Sequence, residues 1–340
     1  MNQMQPATSP VKHLGHAAGG VARAIGFAAG MLVLAIVFAV GMGIGAATMF
    51  AGTMGESPVI AELYRDGNSD TIAVIPVEGV IDSFQAARVR MFVDEVLADD
   101  AVKAVVLRVD SPGGGIAASD RIWYEIRRLR DNGLPVVSSY GGVAASGGYY
   151  ISCATDHIIA EPTCITGSIG VIAQSFIFKD LLDKVGIEPV TLISTASPSK
   201  DLGNPFRAWT DADRAKYVDM LDAAYDIFNQ RVREGRSHAI TDPARIDELA
   251  DGSIYTAAQA QSAGLIDGIG YLDDAVTQAE ILAGVTPGES EVIILRQAIS
   301  IFDDLLIGSP AGIRSRLRDA EGIRSLANEL ATPRLMYLMR

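Results

Sequence analysis

Residues 101–150 read AVKAVVLRVD SPGGGIAASD RIWYEIRRLR DNGLPVVSSY GGVAASGGYY, a strand–helix–strand–helix pattern. The apolar run 101–110 gives a strand and 116–132 an amphipathic helix, ended by Gly133 in the position where a left-handed residue closes a helix. PVVSSY, 135–140, is the next strand, and a helix opens near Ser146. Continuous apolar strands alternating with helices indicate βαβ units around a sheet covered on both faces.

The same pattern extends both ways. TIAVIPVEGVI gives a buried strand at about 71–81, and Val89, Phe92, Val93 and Val96 space a helix over 84–98. HIIAEP is a further strand, and VTLIST before Ser197 reads as another. Helices follow near 211–235, in a group over 242–263 stopped by Gly264, and over 272–284. Residues 54–70 read as a linker.

The N-terminal quarter differs in kind. Residues 1–55 hold no Asp or Glu, and 24–55 hold no charge at all. The apolar stretch at 24–53 exceeds the roughly 20 residues a spanning helix needs. It is also longer than the ~7–15-residue core of a secretory signal. A single-pass anchor is therefore expected. Lys12 and Arg23 precede it and Glu56 and Glu62 follow, which places residues 1–23 in the cytoplasm and the body outside. The chain has 340 residues and a net charge of −13, and its acidic body argues against a nucleic-acid partner. Two cysteines, Cys153 and Cys164, and four histidines show no metal-ligand spacing, so no metal and no cofactor is expected. Both thiols read as small buried hydrophobes.

Two glycine-rich turns join strands to helices. In Ser111-Pro112-Gly113-Gly114-Gly115 the backbone can present N–H groups to a developing oxyanion. In Gly141-Gly142-Val143-Ala144-Ala145-Ser146-Gly147-Gly148 a serine stands among small residues at a helix start, where it serves equally well as an N-cap or as a nucleophile. A nucleophilic serine needs a base. His157 would lie about 15 Å away along the intervening helix, and His238 has no site motif around it. Of the six lysines, Lys12 lies in the N-terminal tail, Lys103 opens a strand near Asp99 and Asp100, and Lys179, Lys184 and Lys216 read as helix-surface residues, which leaves Lys200 in Ser197-Pro198-Ser199-Lys200-Asp201-Leu202-Gly203-Asn204-Pro205-Phe206. Taken alone it fits a solvated loop as well. A lysine works as a base near neutral pH only when burial lowers its pKa from about 10.4, and an ion pair with Asp201 would oppose that. Ser168, in Thr166-Gly167-Ser168-Ile169-Gly170, can orient an amine or simply satisfy its own turn.

Together SPGGG, GGVAASGGYYI, TGSIGVI and Lys-Asp-Leu-Gly-x-Pro-Phe-Arg, in that order, resemble the short bacterial form of signal peptide peptidase A, with DGSIYTAAQAQSAGLIDGIG at 251–270 resembling its downstream segment. The resemblance covers about 71–285. It implies a crotonase-like/Clp protease-like α/β superfold, with Ser146 as nucleophile, Lys200 as general base and Ser168 assisting the lysine. It also implies an oxyanion hole from the N–H groups of Gly113 and Ser146, and a homo-octamer whose sites form across neighbouring subunits. The implied substrates are signal peptides left in the membrane. Residues 286–340 have no counterpart in the resemblance; they could lie on a membrane surface, enter the peptide groove, pack on a neighbour, or stand solvated. A membrane-protein quality-control protease with the same dyad, a crotonase-type acyl-CoA enzyme and a catalytically silent scaffold are the competing functions.

Overall fold

The computed structural model describes residues 59–297, apart from Ser69, and the backbone of Arg334–Leu338. The expected tail and anchor, residues 1–53, lie outside the described residues, as does most of 298–340. Among the described residues no helix is long and apolar enough to cross a membrane.

Strands β1 (Val59–Arg65), β2 (Thr71–Glu78), β3 (Val102–Ser111), β5 (Val136–Ala145), β6 (His157–Ala160), β10 (Gly268–Ile269) and β11 (Glu291–Gln297) lie in the order β1-β11-β2-β3-β5-β6-β10. From β11 to β10 every pairing is parallel, and β1 caps the edge antiparallel to β11. Short β7 (Ile165–Gly167) pairs with β5, and β9 (Ile254–Thr256) pairs with β7. A second sheet holds β4 (Gly113–Gly115), β8 (Ile172–Gln174) and β12 (Arg334–Leu338).

Side chains alternate between faces along a strand, so each strand needs two apolar sets. Ala73, Ile75, Val77, Val105, Leu107 and Val109 face one side, where helices α1 (Ser83–Ala98) and α2 (Ile116–Asp131) bring Phe92, Val93, Ile122 and Ile126. Ile72, Val74, Ala104, Val106 and Val137 face the other, under Ala275, Val276 and Ala279 of helix Leu272–Ala283. Each fully buried Ile or Phe here contributes about 1.5–3 kcal/mol. Helix α1 begins at Asp82, whose carboxylate accepts the N–H of Gln85 at 2.8 Å. This is the mixed α/β fold with a doubly covered central sheet that the pattern of residues 71–160 predicts.

Five local expectations are corrected. The presumed linker 54–70 contains β1, and the extension beyond 285 contains β11; these two pair only with each other and β2 at the sheet edge. The helical group 242–263 is two short helices, Pro243–Leu249 and Ala257–Ser262, split by β9, because Ile254–Thr256 is drawn into pairing with β7. VTLIST is not a strand: residues 190–195 are exposed and make no strand pairing, so their apolar side chains are not buried in either sheet. The helix after Ser146 is only six residues, α3 (Gly147–Ser152).

Candidate active site

β5 carries the site because it changes partners along its length. Val137–Tyr140 pair with β6, and Val143–Ala145 pair with β7. Against β3 the register passes from Val109↔Tyr140 to Ser111↔Ala144, so Gly141–Val143 bulge outward. Asp110 fills the bulge: its Oδ1 accepts the N–H of Val143 at 3.1 Å, and a Cβ on Gly141 would meet the carboxylate at 3.2 Å.

The bulge delivers Ser146 into a tight turn between β5 and α3, with φ 52° and ψ −113°. Such a conformation costs a non-glycine residue on the order of 1–3 kcal/mol and is held only by its surroundings. Its hydroxyl is fully buried and has no hydrogen-bond partner among the described residues. Ser168 follows the same rule on the adjacent strand. Ala145 pairs with Gly167, so Ser146 and Ser168 are each one residue past a register pair. Ser168 too has positive φ, 51°, is buried, and donates its N–H to Ser253 at 2.7 Å. A cleft of about 720 Å³ opens beside it, lined by Gly170, Ile172, Tyr225, Gly252 and Ser253.

The N–H groups expected for an oxyanion are engaged elsewhere. Ser146 donates to the Gly167 carbonyl at 2.7 Å, and Gly113 donates to Ser111 Oγ at 3.1 Å. The free direction belongs to their neighbours. The Gly113 carbonyl and the Gly115 N–H both bond Ile81, at 2.9 and 2.8 Å, so the N–H of Gly114 between them faces the opposite side. Gly147 opens α3, where the first N–H groups of a helix lack internal acceptors. A Cβ on Gly147 would stand 3.1 Å from the Gly114 nitrogen and 2.6 Å from Ser119 Oγ, which sets the two glycines side by side. The residue types GGG and SGG were visible in the sequence; which member of each faces the site was not.

Lys200 is not brought to Ser146 within one chain. It lies exposed on a 3-10 turn, Pro198–Asp201. The turn belongs to an excursion, 175–210, that exposes Phe176, Leu181, Ile187, Val190, Leu192 and Phe206, with Leu192 92% exposed. Asp201 is not its ion-pair partner. Its carboxylate takes Arg207 Nε and, at 2.7 Å, Asn204 Nδ2, and Arg207 first and Asn204 second hold it below the usual carboxylate range. Arg207 also grips Asp213 at the head of helix Asp211–Arg236, at 3.0 Å through Nη2. The motif Lys-Asp-Leu-Gly-x-Pro-Phe-Arg thus builds a stapled turn that leaves the lysine outward.

The histidines serve another cluster. Asp267 lies 3.0 Å from His238 Nε2 and 3.9 Å from His157 Nδ1, and it chelates the buried Arg236 guanidinium at 2.7 and 2.9 Å. Cys153 and Cys164 are free and buried, as expected, and burial pushes both thiols up to about 12.

Comparison with known proteins shows the family. The model of peptidase family S49 matches residues 128–286. An Enterococcus faecium protein assigned as signal peptide peptidase SppA is 34% identical over 234 residues, covering 65% of this chain and 67% of that protein. The chain belongs to peptidase family S49. A Synechocystis protein assigned as a protease is 34% identical over 229 residues, covering 67% of this chain and 80% of its own length. Protease 4 of Haemophilus influenzae is 35% identical over 222 residues, covering 62% of this chain; the chain spans only 34% of that longer protein. As a family S49 member of the signal-peptide-peptidase-A type, the chain is a serine protease.

Proposed function

We propose that the chain is a membrane-anchored Ser–Lys endopeptidase of the crotonase/Clp-like superfold, with Ser146 as nucleophile and Lys200 as base. The observation that carries the reading is the Ser146 hydroxyl: buried, unpartnered, and held on a strained turn. A buried hydroxyl without a partner costs about 1–3 kcal/mol, a cost expected where the group must attack. In the proposed reaction neutral Lys200 takes the hydroxyl proton as Oγ bonds to the peptide carbonyl carbon. The N–H groups of Gly114 and Gly147 receive the oxyanion, one residue beyond each of the two first expected. The C–N bond breaks and the leaving amine takes the proton back from Lys200. Lys200, neutral again, then deprotonates a water that attacks the ester carbonyl, and as the C–Oγ bond breaks the proton returns to Ser146 Oγ. Ser168, on the adjacent strand end, orients the amine.

The base comes from a second copy in this reading. The 175–210 excursion exposes its apolar side chains together with Lys200, and covering them would supply the desolvation a lysine base needs. A closed ring of subunits, an octamer by family resemblance, is the assembly proposed, lying outside the cytoplasm on the 24–53 anchor. Apolar signal peptides released into the membrane are the proposed substrates, with other membrane-protein segments as the alternative.

The test uses two inactive variants. Ser146→Ala and Lys200→Ala should each abolish cleavage of a peptide; normal activity in either ends the assignment. Coexpressed and copurified as mixed oligomers in equal amounts, they should recover about a quarter of parental activity, since half the serines and half the facing lysines are intact in a heterologous ring. No recovery would remove the shared dyad.

A further inference from the structure

Two buried serine hydroxyls have no hydrogen-bond partner among the described residues: Ser146 and Ser119. Ser119 is the fourth residue of α2 and is fully buried. A hydroxyl inside a helix ordinarily turns onto a carbonyl one turn back. Ser152, Ser262 and Thr277 do so in this chain, at 2.9, 2.8 and 2.9 Å. Ser119 leaves its own such carbonyl, that of Gly115, unused. Its neighbours are those of the oxyanion pair. A Cβ on Gly147 would stand 2.6 Å from Ser119 Oγ and 3.1 Å from the Gly114 nitrogen. The hydroxyl and that nitrogen are therefore at most about 5.7 Å apart, a gap one shared oxygen spans with an O–H···O bond of about 2.7 Å and an N–H···O bond of about 2.9 Å. The next residue, Asp120, accepts the Tyr150 hydroxyl at 2.6 Å, which ties this turn of α2 to α3, the helix that Gly147 opens. The Ser119 side chain is thus held in place and free only to rotate its proton.

We propose, resting on the reading of Ser146 as nucleophile, that Ser119 is a third oxyanion donor, its O–H completing a cradle with the N–H groups of Gly114 and Gly147. The hydroxyl keeps its proton throughout. As Ser146 Oγ bonds to the carbonyl carbon, the C=O electron pair moves onto oxygen, and the Ser119 O–H turns toward that charge. A hydrogen bond to an ionised acceptor is stronger than one to a neutral carbonyl, so the gain falls on the transition state more than on the bound peptide. A donor with no resting partner suits this use, because no existing bond must break first.

Ser119→Ala in the full-length protein tests the assignment. Removing one oxyanion donor costs about 100- to 1000-fold in kcat, so kcat should fall about 100-fold with KM within about threefold of the parent. Tm should not fall, since no hydrogen bond of the resting fold is lost. Ser119→Cys, which offers only a weak donor, should lose nearly as much activity. A peptide boronate, whose boron bonds Ser146 Oγ in a tetrahedral adduct, should bind Ser119→Ala about 100-fold more weakly than the parent. The corresponding peptide should bind the Ser146→Ala protein equally with and without Ser119→Ala. Parental turnover in Ser119→Ala, or lost kcat with parental boronate affinity, overturns the donor. So does a lowered Tm with weaker peptide binding in the Ser146→Ala background, which would make the hydroxyl structural. A parent that neither cleaves peptide nor takes up the boronate would end the reading of Ser146 as nucleophile, and the third donor with it.

Discussion

Consider Gly114→Ala beside Gly115→Ala. A Cβ on Gly114 would stand 2.0 Å from the Ile81 carbonyl oxygen and 2.6 Å from its nitrogen. Carbon–oxygen contacts settle near ~3.3 Å, so β4 must retreat by about 1.3 Å from Ile81. Two backbone hydrogen bonds, Ile81 to Gly113 at 2.9 Å and Gly115 to Ile81 at 2.8 Å, are stretched or lost. At about 1 kcal/mol each that is about 2 kcal/mol of stability, or roughly 4–8 °C in Tm for a domain of this size. Catalysis suffers more, because the Gly114 N–H moves with its strand. A displacement of about 1 Å costs about 100-fold, and a lost oxyanion donor about 100- to 1000-fold. Gly115 has ordinary angles, φ −66° and ψ 132°, and a Cβ there would meet nothing nearer than 3.8 Å. Gly115→Ala should therefore turn over within about threefold of the parent, with under ~1 kcal/mol lost at this N-cap. The assay is kcat/KM on a peptide with a thermal melt of each variant. Folded Gly114→Ala working within threefold of the parent would refute the placement of the oxyanion donor.

Arg207→Ala should cut kcat at least tenfold while lowering Tm by no more than about 8 °C, because it frees the Lys200 turn and its two partly exposed ion pairs are each worth about 0–1 kcal/mol; equal losses of kcat in unrelated surface variants would point to global damage instead. Asp267→Asn leaves the Arg236 guanidinium buried without its counter-charge and should destabilise by about 3–5 kcal/mol at pH 7. Burial would raise the Asp267 carboxyl, but Arg236 pulls it far below the ordinary range. Its stabilisation is thus complete above the unfolded pKa of about 3.9 and fades as pH falls below it. The gap between parent and variant, read by denaturant titration, should narrow below about pH 4 and not above. Cys153 and Cys164, with thiols raised to about 12 by burial, should resist iodoacetamide at pH 8 until the chain is unfolded; mass measurement before and after denaturant reads this directly.

The central layers were legible because local signals agree with the tertiary outcome there. Runs such as AVKAVVLRVD can only be strands buried on both faces, and the Phe92 and Ile122 helices have one apolar side each. β1 and β11 were missed because VIAELYR is mostly exposed and finds its partner more than 220 residues later, a pairing no local window contains. Ser146 was singled out by its small neighbours and Ser168 by the resemblance of its motif, and the structure sets the two on adjacent strand ends. The N–H groups we assign to an oxyanion lie one residue beyond those first expected; the facing of Gly114 is set by the hydrogen bonds that Ile81 makes to Gly113 and Gly115, a contact between segments. Asp201 was feared as the lysine's counter-ion; Arg207, six residues on, takes it, and only the folded turn shows the reach. That the chain's own C-terminal strand lies along β4 follows from edge pairing and was open among several placements in the sequence.

The outward bow of β5 at Gly141–Val143 has a consequence for how this chain can vary. Between Tyr140 and Ala144 the strand uses four residues where β3 uses two, so the surplus is two, an even number. Because side chains alternate, an even surplus leaves later residues on the faces they would have had without it. Losing or gaining a single residue anywhere between 137 and 145 would rotate the Ser146 hydroxyl to the opposite side of the layer, while substitutions there need only stay small. Length along this segment should thus be quantised, with point changes tolerated more readily than one-codon deletions.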